Sequence, residues 1–171
     1  YCILSFKSSS GIMMGFSANY LTKNLLFSGD RANAILSTYI DNEIEIVLDD
    51  NVTAIGKYQF YNFKDVTLVE IPESVQTIGL SAFYGCSSME RIKLPFVGSS
   101  LDATSGTNFG YIFGASSYSY NSSYVPASLI EVEIYNTNKI PSYAFYNCSY
   151  IKKLILSNSI ESIESSAFSS C

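Results

Sequence analysis

The sequence predicts a mainly β repeat solenoid of about seven units, with one parallel sheet and short helical turns on the other side. Three observations predict it. A nine-residue motif recurs along the chain. A short apolar alternation precedes each copy at a nearly fixed distance. The 171 residues are 47% hydrophobic and only 15% charged, enough apolar mass to bury the core of one domain.

The motif is clearest in Ile78-Gly79-Leu80-Ser81-Ala82-Phe83-Tyr84-Gly85-Cys86. It returns as Ile140-Pro141-Ser142-Tyr143-Ala144-Phe145-Tyr146-Asn147-Cys148 and as Ile163-Glu164-Ser165-Ser166-Ala167-Phe168-Ser169-Ser170-Cys171. Ile55-Gly56-Lys57-Tyr58-Gln59-Phe60 keeps the same step from Ile to Phe. Phe60 to Phe83 and Phe145 to Phe168 are each 23 residues, whereas Phe83 to Phe145 is 62, two periods plus 16 inserted residues. Twelve residues before Phe60, Phe83 and Phe168 end the alternations Ile46-x-Leu48, Val69-x-Ile71 and Leu154-x-Leu156. Val132-x-Ile134 precedes Phe145 by one residue fewer, and Ile92-x-Leu94 precedes Phe113 by seven more. The same ruler pairs Leu25-x-Phe27 with Tyr39 and Cys2-x-Leu4 with Phe16, giving two degenerate units in 1–42.

Period-two alternation reads as a short strand, and strands joined by about twenty residues run parallel. All fourteen inward positions are apolar, counting Cys2. One such unit cannot bury its apolar edge alone, so neighbours must stack. Phe83 and Cys86, three apart, fit one face of a short helical turn. A β-sandwich is the alternative, but it has no reason to hold a fixed Ile-to-Phe step.

Several function classes are disfavoured. Ten Lys and Arg against 15 acids give a net charge of −5, the wrong sign for a nucleic-acid binder. There is no His, which removes Ser-His and Cys-His catalysis and the usual zinc motifs. No apolar run approaches the roughly 18 residues of a membrane span, so no membrane insertion is expected of this segment. No cofactor fingerprint is present: Gly56 and Gly79 read as backbone-turn positions. Cys86, Cys148 and Cys171 share one repeat position, with side chains expected in parallel, so buried free thiols are expected. The acids Asp41, Glu43, Glu45, Asp49 and Asp50 read as a solvated edge, with calcium the alternative. Glu131 and Glu133 share a strand face and could mimic a glycosidase pair. A charge ladder explains them equally.

The repeat resembles the leucine-rich repeat of the BspA-like bacterial surface proteins, L-x-x-I-x-I/L-P-x-x-V-x-x-I-G-x-x-A-F-x-x-C. Val66-x-x-Val69-x-Ile71-Pro72-x-x-Val75-x-x-Ile78-Gly79-x-x-Ala82-Phe83-x-x-Cys86 fits at every position. The unit from Ile151 to Cys171 departs only at Ser157 and Glu164. The match covers 43–171 well and 1–42 weakly. The resemblance implies one leucine-rich-repeat solenoid over 1–171, with insertions at about 95–128. It implies an extracellular or cell-surface chain, without enzymatic activity, that adheres to protein or glycan ligands on host or neighbouring cells. A structural spacer is the alternative, and a carboxylate-dependent glycan enzyme a third.

Three structural expectations follow. The repeat stack lacks proper caps, as a piece of a longer chain would. Outward strand residues form two columns, Asn24, Glu45, Leu68, Arg91, Glu131, Lys153 and Leu26, Val47, Glu70, Lys93, Glu133, Ile155. Their charges alternate along Glu70–Lys93–Glu133 and Arg91–Glu131–Lys153, which fixes register or forms a charged binding face. Finally, the fifth unit carries the partner site. Its Gly-, Ser- and Thr-rich loop from Val97 to Asn108 is expected to be mobile. A second insertion places Tyr118, Tyr120 and Tyr124 among Ser and Asn, a recognition composition. The alternative is that these tyrosines fold back as a packed flap.

Overall fold

The structure, a computed structural model, describes residues 52–171 throughout and, before them, the backbone of 16–18, 23–25, 39–40 and 43–48. Its strands are β1 (Phe16–Ala18), β2 (Lys23–Leu25), β3 (Tyr39–Ile40), β4 (Glu43–Val47), β5 (Ala54–Ile55) and β6 (Leu68–Glu70). There follow β7 (Thr77–Ile78), β8 (Arg91–Leu94), β9 (Glu131–Ile134), β10 (Lys139–Ile140), β11 (Lys153–Leu156) and β12 (Ser162–Ile163).

The main sheet has the order β11-β9-β8-β6-β4-β3, and its first five strands are parallel. These are the five alternations that end at Leu48, Ile71, Leu94, Ile134 and Leu156. The register is the repeat register: Val69 pairs with Ile46 and Ile92, and Ile92 with Val132. Val69, Ile71, Ile92, Leu94, Val132 and Ile134 are buried, whereas Leu154 and Leu156 on the edge strand are half-buried.

After β4, β6, β9 and β11 the chain turns a corner and makes a second set of parallel ladders, β5 on β7 and β10 on β12, whereas after β8 only Ser100 bridges to Thr77, antiparallel. A third ladder runs through the phenylalanine turns: the Phe60 N–H donates to the Ala82 carbonyl at 2.8 Å and Phe145 to Ala167 at 2.8 Å. Inside it the rings stack. Phe60–Phe83 and Phe145–Phe168 lie 5.1 and 5.5 Å apart at 10° and 13°. Each such pair adds about 0.5–1.5 kcal/mol beyond area burial.

The turns themselves are not helical. Tyr58, Ser81, Tyr143 and Ser166, each two before a phenylalanine, have φ of 56–62°, and Asn62, Gly85, Asn147 and Ser170, each two after, have φ of 55–78°. Left-handed residues at these positions interrupt a helix and make successive tight turns. A spacing of three suits both, which is why Phe83 and Cys86 suggested a helix. Gly79 also differs from expectation. It needs no positive φ; a Cβ there would lie 2.4 Å from the Lys57 backbone nitrogen. It is a close-approach glycine between stacked units.

The thiols also differ from the expected uniform burial. Cys86 and Cys148 are buried and free, while Cys171 is free but exposed. The Cys86 Sγ donates to the Phe60 carbonyl at 3.3 Å and Cys171 to Phe145 at 3.0 Å, one unit back in each case. Burial pushes both Cys86 and Cys148 up to about 12.

Unit five is rebuilt. Phe113 lies 6.5 Å from Phe83, but Phe109, not Phe113, packs against Phe145, at 4.8 Å and tilted by 31°. Both belong to the 3-10 turn Phe109–Phe113. The loop expected to be mobile is tied down: Phe96 and Val97 are buried, the Ser99 N–H donates to the Gly106 carbonyl at 2.9 Å, and Ile78 donates to the Ser99 carbonyl at 2.9 Å.

At the other end, the expectation of a parallel strand around Leu25 is corrected. β2 pairs antiparallel with β1, which places Asn24 opposite Ser17, and β4 takes β3 as its antiparallel neighbour. Two residues separate β3 from β4, a connection too short for a parallel crossover. That hairpin also closes one sheet edge where no cap was expected. Cys2, Leu26 and the side chains of Asp41, Glu43, Glu45, Asp49 and Asp50 lie outside the described residues.

Candidate functional site

Two surfaces of different chemistry result. On the strand face, Arg91, Glu131 and Lys153 share one row across β8, β9 and β11, and Glu70, Lys93 and Glu133 share the other across β6, β8 and β9. Lys153 reaches Glu131 at 3.2 Å and Lys93 reaches Glu133 at 3.5 Å. The columns therefore alternate in sign as the register demands. Both pairs are solvent-exposed, worth about 0.2–1 kcal/mol each. Each carboxylate of the pair that could mimic a glycosidase, Glu131 and Glu133, is engaged by a lysine on the neighbouring strand. Beside them Tyr135 donates its hydroxyl to the Ile71 carbonyl at 2.6 Å, and Lys93 lies 5.3 Å from its ring centre.

The turn side is aromatic. Among the described residues, seven of the ten exposed large apolar side chains are tyrosines: Tyr58, Tyr61, Tyr84, Tyr118, Tyr120, Tyr124 and Tyr150. Tyr61 and Tyr84 follow the core phenylalanines Phe60 and Phe83, so unit stacking superposes them, 5.4 Å apart at 9°. In unit five the equivalent residue is Gly114. A Cβ at Gly114 would lie 2.9 Å from the Tyr84 ring and 3.0 Å from the Tyr124 ring. The absent side chain leaves the slot that Tyr124 fills from the insertion, 6.0 Å from Tyr84. Tyr118 makes a second cluster, stacked on Tyr143 at 4.3 Å and edge-on to Tyr146 at 5.4 Å.

One buried side chain makes four of the hydrogen bonds that hold the insertion. Asn121 starts the single-turn helix α1 (Asn121–Tyr124) and is fully buried. Its Oδ1 accepts from Asn108 Nδ2 and the Gly110 N–H, both at 3.0 Å. Its Nδ2 donates to the carbonyls of Ala144 and Tyr146, both at 3.1 Å. The Asn121 amide is thus committed to the core.

Tyr118, Tyr120 and Tyr124 are 40%, 51% and 40% exposed. They are neither free-standing nor a buried flap: Tyr118 and Tyr124 are braced by other rings and present the rest to solvent. The sequence reading missed Tyr61, Tyr84 and Tyr150. The Phe-Tyr pairs at 60–61, 83–84 and 145–146, with Phe-Gly at 113–114, were the available signal.

Between Tyr84, Tyr124 and Tyr150 lies an open groove of about 630 Å³, floored by Gly85, Cys86 and Val125. Among the described residues no group of three or more His, Cys, Asp or Glu is placed to hold a metal ion. Among them, too, no helix is long and apolar enough to cross a membrane.

No curated protein matches the chain. A leucine-rich repeat protein from Bacteroides ovatus is 25% identical over 73% of this chain and 28% of its own, with a TM-score of 0.45. One from Eubacterium ventriosum is 17% identical over 72% and 36%, with a TM-score of 0.45. A leucine rich cell surface protein from Faecalibacterium prausnitzii is 20% identical over 91% and 46%, with a TM-score of 0.37. The chain thus spans less than half the length of each. The model of the BspA type leucine rich repeat region matches residues 38–171 in 6 copies. Those residues contain all five parallel strands, the phenylalanine ladder and the tyrosines stacked outside it, and the chain belongs to the BspA-type leucine-rich repeat family.

Proposed function

We propose that this chain is a non-enzymatic binding module of a larger cell-surface or secreted protein, adhering to protein or glycan ligands on host or neighbouring cells. Its repeats form one module, and its contact residues are the unit-five tyrosines Tyr118, Tyr120 and Tyr124. The charged strand rows, Glu70, Lys93, Glu133 and Arg91, Glu131, Lys153, are a second contact face.

The observation that carries this reading is the gathering of seven exposed tyrosines on the turn side. A spacer needs only a polar surface, and exposed rings serve it no purpose. Tyrosine offers large amphipathic contact area at low entropic cost, and rings already braced by one another lose little freedom on binding. Family membership supports the surface location.

The test is capture of the recombinant chain on arrayed matrix proteins and glycans, beside a variant carrying Tyr118→Ser, Tyr120→Ser and Tyr124→Ser. Loss of capture with retained fold supports the reading. Capture by the folded variant equal to that of the parent refutes the role of the tyrosines, and no capture by either favours the spacer.

A further inference from the structure

We propose that the groove bounded by Tyr84, Tyr124 and Tyr150 binds a neutral saccharide. The inference rests on the binding-module reading and names its ligand. The groove holds about 630 Å³, inside the range of about 300–1,000 Å³ typical of small-ligand sites. None of its lining residues carries a formal charge. An anionic sugar, or any charged peptide side chain, would lose water here without meeting an opposite charge. The strand face, with its lysines and glutamates, is where a charged ligand would find partners.

The polar lining matches a polyol. Ser87, Ser122 and Ser123 supply hydroxyls, and the three tyrosines supply phenols. Every one of these groups both donates and accepts, as sugar hydroxyls do. The rings offer apolar surface to the C–H faces of a pyranose. A proline-rich peptide also seeks aromatic grooves, but its carbonyls only accept, so it would leave half of that hydroxyl capacity unused.

The walls are fixed before any ligand arrives. The Ser128 hydroxyl lies 2.9 Å from the Ser87 carbonyl and 2.8 Å from that of Met89, tying the insertion to unit four. Asn147 Nδ2 donates to the Ser122 hydroxyl at 3.1 Å, tying it to unit six. A groove held from both sides spends little affinity on ordering.

The test is an array of neutral oligosaccharides with hexose, N-acetylhexosamine and deoxyhexose termini, printed beside sialylated and sulfated oligosaccharides and proline-rich peptides. Hits are followed by saturation-transfer NMR, which detects millimolar binding. The parent chain is expected to bind neutral oligosaccharides, with affinity falling about tenfold or more in Tyr150→Ser and in Ser123→Arg. Both positions are exposed, so both variants are expected to keep the parental circular dichroism and melting point. Absence of neutral saccharide binding, unchanged affinity in both folded variants, or preferential binding of anionic sugars or proline-rich peptides overturns the inference. If saccharides fail while arrayed proteins are still captured through Tyr118 and Tyr120, the saccharide falls and the binding-module reading stands.

Discussion

Asn121 is the residue on which the unit-five surface depends, and replacing it gives a measurable loss. Asn121→Leu keeps the branched side-chain shape, with bulkier methyls, and removes all four hydrogen bonds. Two of the partners have alternatives. The Ala144 carbonyl still accepts from the Phe109 N–H at 2.8 Å, and Asn108 Nδ2 still reaches the Ala115 carbonyl at 3.2 Å. The Gly110 N–H loses its acceptor, and the Tyr146 carbonyl keeps only a long contact of 3.8 Å with the Cys148 thiol. The buried Gly110 N–H left unsatisfied costs about 1–3 kcal/mol and the half-buried Tyr146 carbonyl about 1 kcal/mol, for a net loss on the order of 2–3 kcal/mol. In urea that lowers the midpoint by about 1–3 M. Asn121→Asp sharpens the argument. It keeps the oxygen that accepts from Asn108 and Gly110 but turns its second oxygen towards two carbonyls, so the introduced carboxyl is held protonated and its pKa rises. The variant's deficit relative to the parent is therefore smallest below about pH 4 and grows as the pH rises through that of the unfolded carboxyl. Urea titrations at pH 4 and pH 7 measure both effects. Stabilities of both variants within about 0.5 kcal/mol of the parent at pH 7 would refute the reasoning.

Gly79→Ala forces a Cβ to within 2.4 Å of the Lys57 nitrogen, so the units must separate; about 1–3 kcal/mol should be lost in thermal or urea unfolding. Phe109→Ala removes the ring that links unit five to Phe145 and should cost about 3–5 kcal/mol, whereas Phe168→Ala, at a half-buried site, should cost less in the same assay. Alkylation at pH 8 with site-resolved mass spectrometry should modify Cys171 in the native chain and reach Cys86 and Cys148 only on unfolding. Those two thiols are raised from 9.0 to about 12, so their contribution is complete below pH 9 and is lost as the pH climbs towards 12. At pH 10 this amounts to on the order of 1 kcal/mol per thiol, read as a drop in urea stability that Cys86→Ala reduces.

The strand register was legible in the sequence because a period of two and a fixed step to phenylalanine leave one pairing that buries every inward position. That is why Glu131 meets Lys153 and Glu133 meets Lys93 as the columns require. What escaped is local or displaced. The turns at Ser81 and Tyr143 take left-handed backbone, and residue type alone does not announce it for serine and tyrosine. Phe109 escaped because the insertion breaks the count from Leu94, and the ruler lands on Phe113 instead. The tyrosine array escaped because a surface residue beside a core phenylalanine looks like any tolerated position. Only the exchange of tyrosine for glycine at Gly114 marks it.

That exchange explains why the insertion is rigid rather than an appended loop. In regular layers, the carbonyl after the core phenylalanine accepts from the backbone of the preceding unit: Asn62 N–H donates to Tyr84 at 2.7 Å and Asn147 to Ser169 at 2.9 Å. Tyr146 occupies the same position, yet its donor is the Asn121 side chain, at 3.1 Å. The side-chain amide therefore supplies the hydrogen bond that a regular fifth unit would have given from its backbone. Three residues on, Tyr124 supplies the ring that Gly114 lacks. The insertion thus reproduces both the polar and the aromatic contacts of the layer it interrupts. Its remaining surface, Ser123 and the outer parts of Tyr118 and Tyr120, is left without a structural task, and this is where selection for a ligand can act without unstacking the repeats.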